Sequence, residues 1–571
     1  MIALKKRLSE ILEEAVKASF AGAEISASEL CEMLEYPPDS NMGDIAFPCF
    51  KLSRTLRCAP PMIAQKLSEA SFPQELCTAK AQGPYLNFKI SNEYLKSILF
   101  GEVLGKGENY GSFDFGKDKT VVLDYSSPNT SKPFHIGHLG TTVIGHCLKL
   151  LHEFAGYKCI GINHLGDWGT QNGKQIVAFK RWGNKEEVEK KGCDGLVELY
   201  VKFHEEAEKD PSLNDEARAE FKKMEMHDPE NIALWKWFLD ISLKEYKVTY
   251  DQLGITFDHY MGESFFSDKM DAQIRIMREK DLLKLDDGAS IVDLSEYNMP
   301  PCLILKRDGA SLYPSRDISA AVYRKDNFNF DKCIYVTSAG QSLHFAQWFK
   351  VMELMGYDWV DQLVHIPYGT VSIGGEKLAT RTGNVVLLKH LFAQAIEKVG
   401  AVIDEKNPDL ANKEEVSEAV GVGAVVFHYL FNTRIKDISF VLEDALSFEG
   451  STGPYVQYTY ARTCSILNKA GDALDADYEP VITSDDEADV IKVLARFPER
   501  VLAAIEDYEP SYIARYAIEL ATAFNRFYHN CPILNADDSA VKSTRLAITK
   551  AVGTVLKTAL RLICMRAPEK I

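Results

Sequence analysis

The segment 120–166 constrains the fold more than any other part of this 571-residue chain. It begins with a short β-rich run, "TVVLDY" (120–125), continues with a helix-like stretch, "HLGTTVIGHCLKLLHEFAG" (138–156), and ends in a second strand-like run, "YKCIGINHLG" (157–166). Strand, helix and strand in this order predict a βαβ unit with parallel strands. Since helices cover both faces of parallel sheets, we expect an α/β domain of the Rossmann type around this unit.

The rest of the chain divides on either side of this unit. Residues 1–92 predict an N-terminal α+β domain, and a polar, Gly-rich stretch follows at 105–119. Residues 93–405 make up the sheet domain, with a charged helical insertion at about 183–260. The pattern is helical from about 410 onwards, so we expect an all-α domain over 406–571, with its core at about 452–571. Further short strands are predicted at 302–307, 332–338 and 363–373.

Composition excludes several classes of function. The net charge of −17 argues against binding nucleic acid through bulk charge, so RNA would need local basic patches. The basic end of the chain, from Lys542, is either such a patch or a solvated helix face. The twelve cysteines contain no C-x-x-C pair, which favours free thiols and a reducing cytoplasm over zinc or disulfides. We expect neither a signal peptide nor a membrane or DNA partner.

The run "NTSKPFHIGHLG" (129–140), which we call the H-x-x-H segment, lies where the first strand passes into the helix. Free N–H groups at a helix start attract anions. His135 and His138 share a face and could donate to phosphate oxygens, while Gly137 lets a base or ribose approach and Lys132 adds a charge. A surface pair of histidines or half of a metal site is the alternative interpretation.

The letters "HIGH" at 135–138 match the signature of class I aminoacyl-tRNA synthetases. The longer strings "DYSSPNTSKPFHIGHLG" and "NHLGDWGTQNG" (163–173) resemble one family among them, the arginyl-tRNA synthetases. The resemblance covers nearly the whole chain. It implies a catalytic Rossmann domain, an N-terminal domain that contacts the tRNA elbow, and a helical anticodon-binding domain.

The second class I signature, KMSKS, resembles "GGEKLATRTG" (374–383), which we call the second loop. The resemblance makes Lys377 and Arg381 its first and last cations, with Lys377, His135, Gly137 and His138 binding ATP. Thr380 stands where the second lysine belongs, and the resemblance implies that Lys132 supplies the lost charge. Cations from either side can stabilise charge on the α-phosphate. An inactive relative with a degraded loop is the alternative.

An arginine pocket requires carboxylates that meet a planar fork of donors. Polar residues at the ends of successive strands could supply them, because open α/β sheets bind ligands there. The resemblance implies that Asp124, Tyr313 and Asp317 hold the guanidinium group. It implies further that Asn129 and Gln341 hold the α-amino and carboxylate groups. Some relatives have Glu at the position of Asp124.

The implied activity is that of an arginine–tRNA ligase. L-Arginine would react with ATP to give arginyl-adenylate, and the arginyl group would pass to the terminal adenosine of its tRNA at the 2′-OH. ATP is expected with Mg²⁺ as a substrate complex, without a tightly bound metal. The resemblance also implies that activation requires bound tRNA, and that the protein is a cytoplasmic monomer.

Two stretches of the C-terminal part, "TGPYVQYTYAR" (452–462) and "FNRFYHNCPIL" (524–534), match the family's anticodon-binding domain. Unstacked RNA bases are commonly read by aromatic and arginine side chains. The tRNA-binding candidates are Tyr455, Tyr458, Arg462 and Tyr528. Tyrosines at this spacing also pack helical cores, and both interpretations stay open for each residue.

Two other functions compete with a tRNA ligase. A nucleotidyltransferase could use the H-x-x-H chemistry on a small molecule, but the long helical C-terminal part argues against it. A non-catalytic tRNA-binding protein descended from a synthetase is the third hypothesis. The joint presence of Lys132, His135, His138, Lys377 and Arg381 argues against that hypothesis.

Overall fold

The computed structural model describes residues 1–39, 42–307, 312–373, 376–377, 386–471 and 478–571. The N-terminal part is an α+β domain in which a three-stranded antiparallel sheet, of order β1-β3-β2, packs against helices. Leu4, Leu8, Ile11 and Leu12 are buried along one face of the first helix, as their spacing predicts. The elements are α1 (Ile2–Ser19), α2 (Ala27–Met33), β1 (Ile45–Pro48), α3 (Ser53–Leu56), α4 (Pro60–Ser68), β2 (Cys77–Gln82) and β3 (Tyr85–Ile90).

The predicted βαβ unit is confirmed. After α5 (Asn92–Lys96) and a π-helical stretch (Ser97–Leu104), the chain enters β4 (Thr120–Asp124), α6 (Leu139–Phe154) and β5 (Lys158–Asn163). Strands β4 and β5 pair in parallel, with Thr120 opposite Lys158. Helix α6 lies close to β4 because Gly145 has no side chain to collide with the buried ring of Tyr125.

The helical insertion expected at about 183–260 is also present. It begins after α7 (Thr170–Trp182) and consists of α8 (Lys185–Lys191), α9 (Cys193–Lys209), α10 (Ser212–Glu225) and α11 (Pro229–Leu253). These helices enclose an apolar cluster of their own around Phe203 and Phe238. The charged residues that mark the segment in the sequence form its solvated faces, as in the ion pair Arg181–Glu216.

The chain then returns to the sheet through β6 (His259–Tyr260), α12 (Met270–Glu279), β7 (Leu283–Asp286), β8 (Ala289–Val292), β9 (Cys302–Leu305), α13 (Tyr313–Phe328), β10 (Lys332–Ser338), α14 (Ser342–Met355), β11 (Leu363–Tyr368), β12 (Val371–Ile373) and β13 (Glu376–Lys377). Within the described residues the parallel sheet has the order β11-β10-β4-β5-β6. The strand predicted at 302–307 belongs instead to a small antiparallel sheet, β7-β8-β9. Because β5 and β10 flank β4, the strand order reverses there, which is where such sheets bind ligands.

Among the described residues, the C-terminal part is helical apart from its loops and one short strand. Its helices are α15 (Leu388–Lys406), α16 (Lys413–Phe431), α17 (Leu442–Ala445), α18 (Gly453–Ala470), α19 (Asp485–Ala495), α20 (Phe497–Glu506), α21 (Ser511–Asn530) and α22 (Ser539–Leu562). The expectation of continuous helix from about 410 missed β14 (Ile438–Phe440). This strand forms because it pairs in parallel with β12, a partner distant in sequence.

The two ends of the chain contact each other. Lys492 Nζ lies 2.7 Å from the buried Asp44 Oδ1, and Lys5 Nζ lies 3.3 Å from Glu499 Oε1. Buried side chains of the N-terminal domain, α6 and the C-terminal helices form one apolar cluster. Among the described residues, no helix combines the length and the apolar character needed to span a membrane.

Gly145→Ala tests the packing of α6 on β4. The new methyl group would lie 2.3 Å from side-chain carbons of Tyr125. We expect this overpacking to lower the free energy of unfolding by about 1–3 kcal/mol. Gly101→Ala is the matched control, because its methyl group would meet nothing within 4 Å. Urea unfolding followed by circular dichroism measures both variants, and a Gly145→Ala variant as stable as the parent would contradict the tight packing.

Candidate active site and C-terminal cavity

The H-x-x-H segment forms a turn that its own histidines close. A 3₁₀ turn, Ile136–His138, follows the polar run and leads into α6. The Gly137 N–H donates to His135 Nδ1 at 3.1 Å, and the His135 N–H donates to His138 Nδ1 at 3.2 Å. The two imidazole centroids are 3.8 Å apart. A side chain at Gly137 would collide with the His135 ring, so the turn itself requires the glycine.

These hydrogen bonds determine the chemistry of both rings. An Nδ1 atom that accepts a hydrogen bond carries no proton, so the proton of each neutral ring is on Nε2. Burial, with a smaller contribution from Lys132, lowers the pKa of His135 to about 4. Burial, His135 and Lys132 together lower the pKa of His138 below its ordinary value. Both rings are therefore neutral donors at physiological pH, which suits phosphate oxygens better than metal ions.

The insertion holds the loop that precedes these histidines. The Tyr246 hydroxyl, on α11, lies 2.8 Å from the carbonyl oxygen of Asn129 and 2.7 Å from that of Lys132. The Ser131 N–H donates to Ser242 Oγ at 2.9 Å. Lys132 Nζ lies 6.0 Å from the centroid of the Tyr200 ring, on α9. The insertion therefore fixes the backbone from which Lys132 extends.

The chain that follows the second loop pairs with the H-x-x-H segment. The Ile136 N–H donates to the Val386 carbonyl at 3.1 Å, and the Leu388 N–H donates to the Phe134 carbonyl at 2.9 Å. The backbone of Lys377 pairs with Ser372 in the hairpin of β12 and β13. The tertiary structure thus brings the chain at 386–388 to the H-x-x-H segment. Arg381 and the side chain of Lys377 lie outside the described residues.

Carboxylates gather at the ends of β4 and β5, and we call Asp124, Asp167, Glu263 and Asp317 the acidic pocket. Burial lowers the pKa of the central His164, while the charges of Asp124, Asp317 and Asp167 act in the opposite direction. Asp317 accepts a hydrogen bond from His344 Nε2 at 2.6 Å. Two of the predicted arginine ligands, Asp124 and Asp317, are therefore brought together.

The other three predicted ligands lie at the same edge of the sheet. Tyr313 begins α13 with its side chain 63% exposed, and Arg316 Cζ lies 5.8 Å from its ring centroid. Asn129 pairs through its backbone with Gly166, beside Asp167. Gln341 is exposed and directly follows β10. All three side chains are accessible at the carboxyl ends of the strands.

The sequence interpretation missed several residues of this site. Burial raises the pKa of Glu263 to about 7, even though Arg316 Nη1 lies 2.9 Å from its Oε2 atom. Arg324 is fully buried and contacts Asp124 Oδ2 at 2.7 Å. The sequence interpretation also missed His164 and Asp167, although both lie in the string "NHLGDWGTQNG". Arg316 lies between the predicted ligands Tyr313 and Asp317, whereas Glu263 and Arg324 lie in stretches without any motif.

An open cavity of about 930 Å³ lies in the C-terminal part, far from the sheet in sequence. Arg462 Cζ lies 5.1 Å from the ring centroids of both Tyr458 and Tyr528, which are 43% and 45% exposed. These three residues line the cavity. Tyr455 differs from them, because its hydroxyl accepts a hydrogen bond from Asn525 Nδ2 at 2.9 Å. Tyr455 thus supports the cavity wall from behind.

Three family models together match most of the chain. The model of the class I tRNA synthetase (R) catalytic domain matches residues 100–442. The arginyl-tRNA synthetase N-terminal domain matches residues 3–90, and the DALR anticodon-binding domain matches residues 456–571. The arginine–tRNA ligase of Alkaliphilus metalliredigens is 51% identical over 570 residues, which is 99% of each chain. The chain belongs to the arginyl-tRNA synthetase family.

Further arginyl-tRNA synthetases are similar to this chain in sequence or in fold. The arginine–tRNA ligase of Clostridioides difficile is 48% identical over 569 residues, again 99% of each chain. The solved structure of the Thermus thermophilus arginyl-tRNA synthetase superimposes with a TM-score of 0.83 at 24% identity, covering 99% of this chain and 100% of that one. The Plasmodium falciparum enzyme gives 0.82 at 23% identity, covering 99% of each chain. These likenesses confirm the predicted fold class and family.

Most candidate site residues of this arginyl-tRNA synthetase family member fall within two different family-model matches. The catalytic-domain match includes the H-x-x-H segment, the second loop and the acidic pocket. The anticodon-binding match includes Tyr458, Arg462 and Tyr528 and begins one residue after Tyr455. The two sets of candidate residues thus lie in different domains.

The lowered pKa of His135 predicts how stability depends on pH. The folded pKa of about 4 lies below the unfolded value of 6.5, so the unfolded chain binds more protons between them. Stability contributed by neutral His135 is therefore lost as pH falls from about 6.5 towards 4. His135→Asn should reduce the loss of unfolding free energy between pH 7 and pH 5 by about 1 kcal/mol.

The matched control for this prediction is His204→Asn, in the insertion. The pKa of His204 is also lowered by burial, but this side chain is more exposed and lies outside the turn. Urea unfolding at the two pH values measures all three proteins. An equal pH dependence in parent and His135→Asn would contradict the neutral ring.

Proposed function

We propose that this chain is an arginine–tRNA ligase that activates L-arginine with ATP and then charges its tRNA. The arginine carboxylate attacks the α-phosphate, which gives arginyl-adenylate and pyrophosphate. The arginyl group then passes to the 2′-OH of the terminal adenosine. One observation carries the proposal: the turn that holds two neutral imidazole donors pairs through its backbone with the chain that follows the second loop, and it lies at the sheet edge that holds the acidic pocket.

The first step requires positioning and charge stabilisation. A carboxylate is ionised at neutral pH, so the attack needs no general base. The Nε2–H groups of His135 and His138 would donate to phosphate oxygens, and Gly137 would let a base or ribose approach the backbone between them. Lys132 from one side, with Lys377 and Arg381 from the other, would stabilise charge that develops on the α-phosphate. Mg²⁺ would arrive with ATP.

The pocket would distinguish arginine from other amino acids through its carboxylates. Asp317 and Asp124 would face the guanidinium group, with Tyr313 beside it, while Asn129 and Gln341 would hold the α-amino and carboxylate groups. A substrate without the planar fork leaves buried charged groups unpaired, which can supply about 10⁴-fold discrimination without an editing site. On the Arg316 side of the pocket, Glu263 is only partly ionised at neutral pH, because burial raises its pKa to about 7.

The remaining parts would serve the tRNA. We assign residues 1–92 to contact with the tRNA elbow, 93–405 to catalysis with the insertion at about 183–260, and 406–571 to the anticodon. Exposed rings flanking a guanidinium, as at Tyr458, Arg462 and Tyr528, suit unstacked bases. Activation is proposed to require bound tRNA. The proposal includes a monomer acting in the cytoplasm.

Arginine-dependent ATP–pyrophosphate exchange tests the proposal directly. We expect exchange only with arginine and only with tRNA present, and about 10⁴-fold less with lysine. Lys132→Met should lower kcat by about 10²–10³ because one stabilising cation is lost, whereas the exposed Lys106→Met should leave it unchanged. Exchange without tRNA would refute the tRNA requirement alone. No exchange by folded protein would favour a non-catalytic tRNA-binding protein.

Tyr458→Ala tests the role of the C-terminal cavity. Loss of a stacking ring costs about 1–3 kcal/mol per base, so the KM for tRNA should rise about 5- to 150-fold while the KM for arginine stays constant. Tyr455→Phe is the control, because the Tyr455 hydroxyl bonds within the protein. It should leave the KM for tRNA unchanged. Steady-state aminoacylation measures both variants, and equal KM values for tRNA in both would contradict this role of Tyr458.

A further inference from the structure

Asp124 already has an internal partner. Arg324, on α13, is fully buried, and its Nη2 atom lies 2.7 Å from Asp124 Oδ2. The other carboxylate oxygen, Oδ1, accepts a hydrogen bond from Ser127 Oγ at 3.1 Å. An ionised carboxylate has about four lone-pair positions, so these two contacts leave about two for another donor. Asp124 can therefore accept further hydrogen bonds while it is paired with Arg324.

Arg324 is poorly suited to a purely structural role. Its Nε and Nη1 atoms are buried without a hydrogen-bond partner among the described residues. Burial alone would lower the pKa of Arg324, yet the Asp124 carboxylate keeps it above its ordinary value. Buried ion pairs contribute little stability compared with well-packed apolar side chains. A buried guanidinium with unpaired donors is thus costly and calls for a functional reason.

We propose that Arg324 is a positioning residue of the arginine pocket, which fixes the Asp124 carboxylate in one orientation towards a cationic group of the substrate. This inference rests on the proposed function and adds a residue that touches no substrate itself. The substrate's donors approach the lone pairs that Arg324 and Ser127 leave available. The Nη2 atom also lies 3.5 Å from His164 Nδ1, so the guanidinium spans the centre of the acidic pocket.

Arg324 supplies the positive charge that contacts Asp124, whereas the titratable side chains near it are neutral. The ring of His164 stays neutral, since burial lowers its pKa. On β10, burial raises the pKa of both Cys333 and Tyr335, so both side chains stay neutral. Without Arg324, the Asp124 carboxylate would lose the cation that holds its Oδ2 atom.

Arg324→Met separates positioning from structural support. At pH 6.5 we expect the KM for arginine to rise at least about tenfold with little change in kcat or in the KM for ATP. Arg324→Lys restores a positive charge and a hydrogen-bond donor beside Asp124, and it should bring the KM for arginine back towards the parental value. Pyrophosphate exchange with tRNA present supplies every value.

A second variant covers the case in which Arg324→Met does not fold. Asp124→Asn/Arg324→Met replaces the pair by uncharged groups and avoids a lone buried charge. It should raise the KM for arginine at least about tenfold, and a parental KM would overturn the inference. A folded Arg324→Met variant with a parental KM for arginine would also overturn it, as would a folded Arg324→Lys variant whose KM is no closer to the parental value. Absence of exchange in the parent protein would instead refute the proposed function.

Discussion

The loop between β4 and α6 depends on polar contacts from two distant parts of the chain, and the rest of the site depends on that loop. Its carbonyl groups accept hydrogen bonds from Tyr246, one of its N–H groups donates to Ser242, and its end pairs with the backbone around Leu387. Backbone groups removed from water must find such partners. The insertion and the start of α15 therefore hold the histidine turn in one conformation.

Neutral hydrogen-bond donors and paired charges both lie at the carboxyl ends of the sheet strands. The histidine turn keeps its rings neutral, because each Nδ1 atom accepts a backbone hydrogen bond and burial disfavours a second proton. The acidic pocket instead contains internal arginines, with Arg324 against Asp124 and Arg316 against Glu263. Phosphates and a cationic amino acid can thus be bound a short distance apart without the site repelling either.

The C-terminal cavity shows how packing separates residues that look alike in the sequence. Tyr455 and Tyr458 lie on the same helix, three residues apart. Only Tyr458 presents an exposed ring beside Arg462, because Asn525 from α21 engages the hydroxyl of Tyr455. The orientation of α21 against α18 therefore decides which of the two tyrosines presents an exposed ring.

The sequence by itself determined the βαβ unit, the helical insertion, the family and the two histidines, because these follow from local periodicity and from motifs of adjacent residues. It missed β14, which exists only through pairing with β12, and it placed the strand at 302–307 without indicating its separate sheet. The tertiary structure alone decided that Arg324 neutralises Asp124, that Glu263 joins the acidic pocket and that Tyr455 supports the cavity. These contacts join residues far apart in the chain, where no local pattern records the partner.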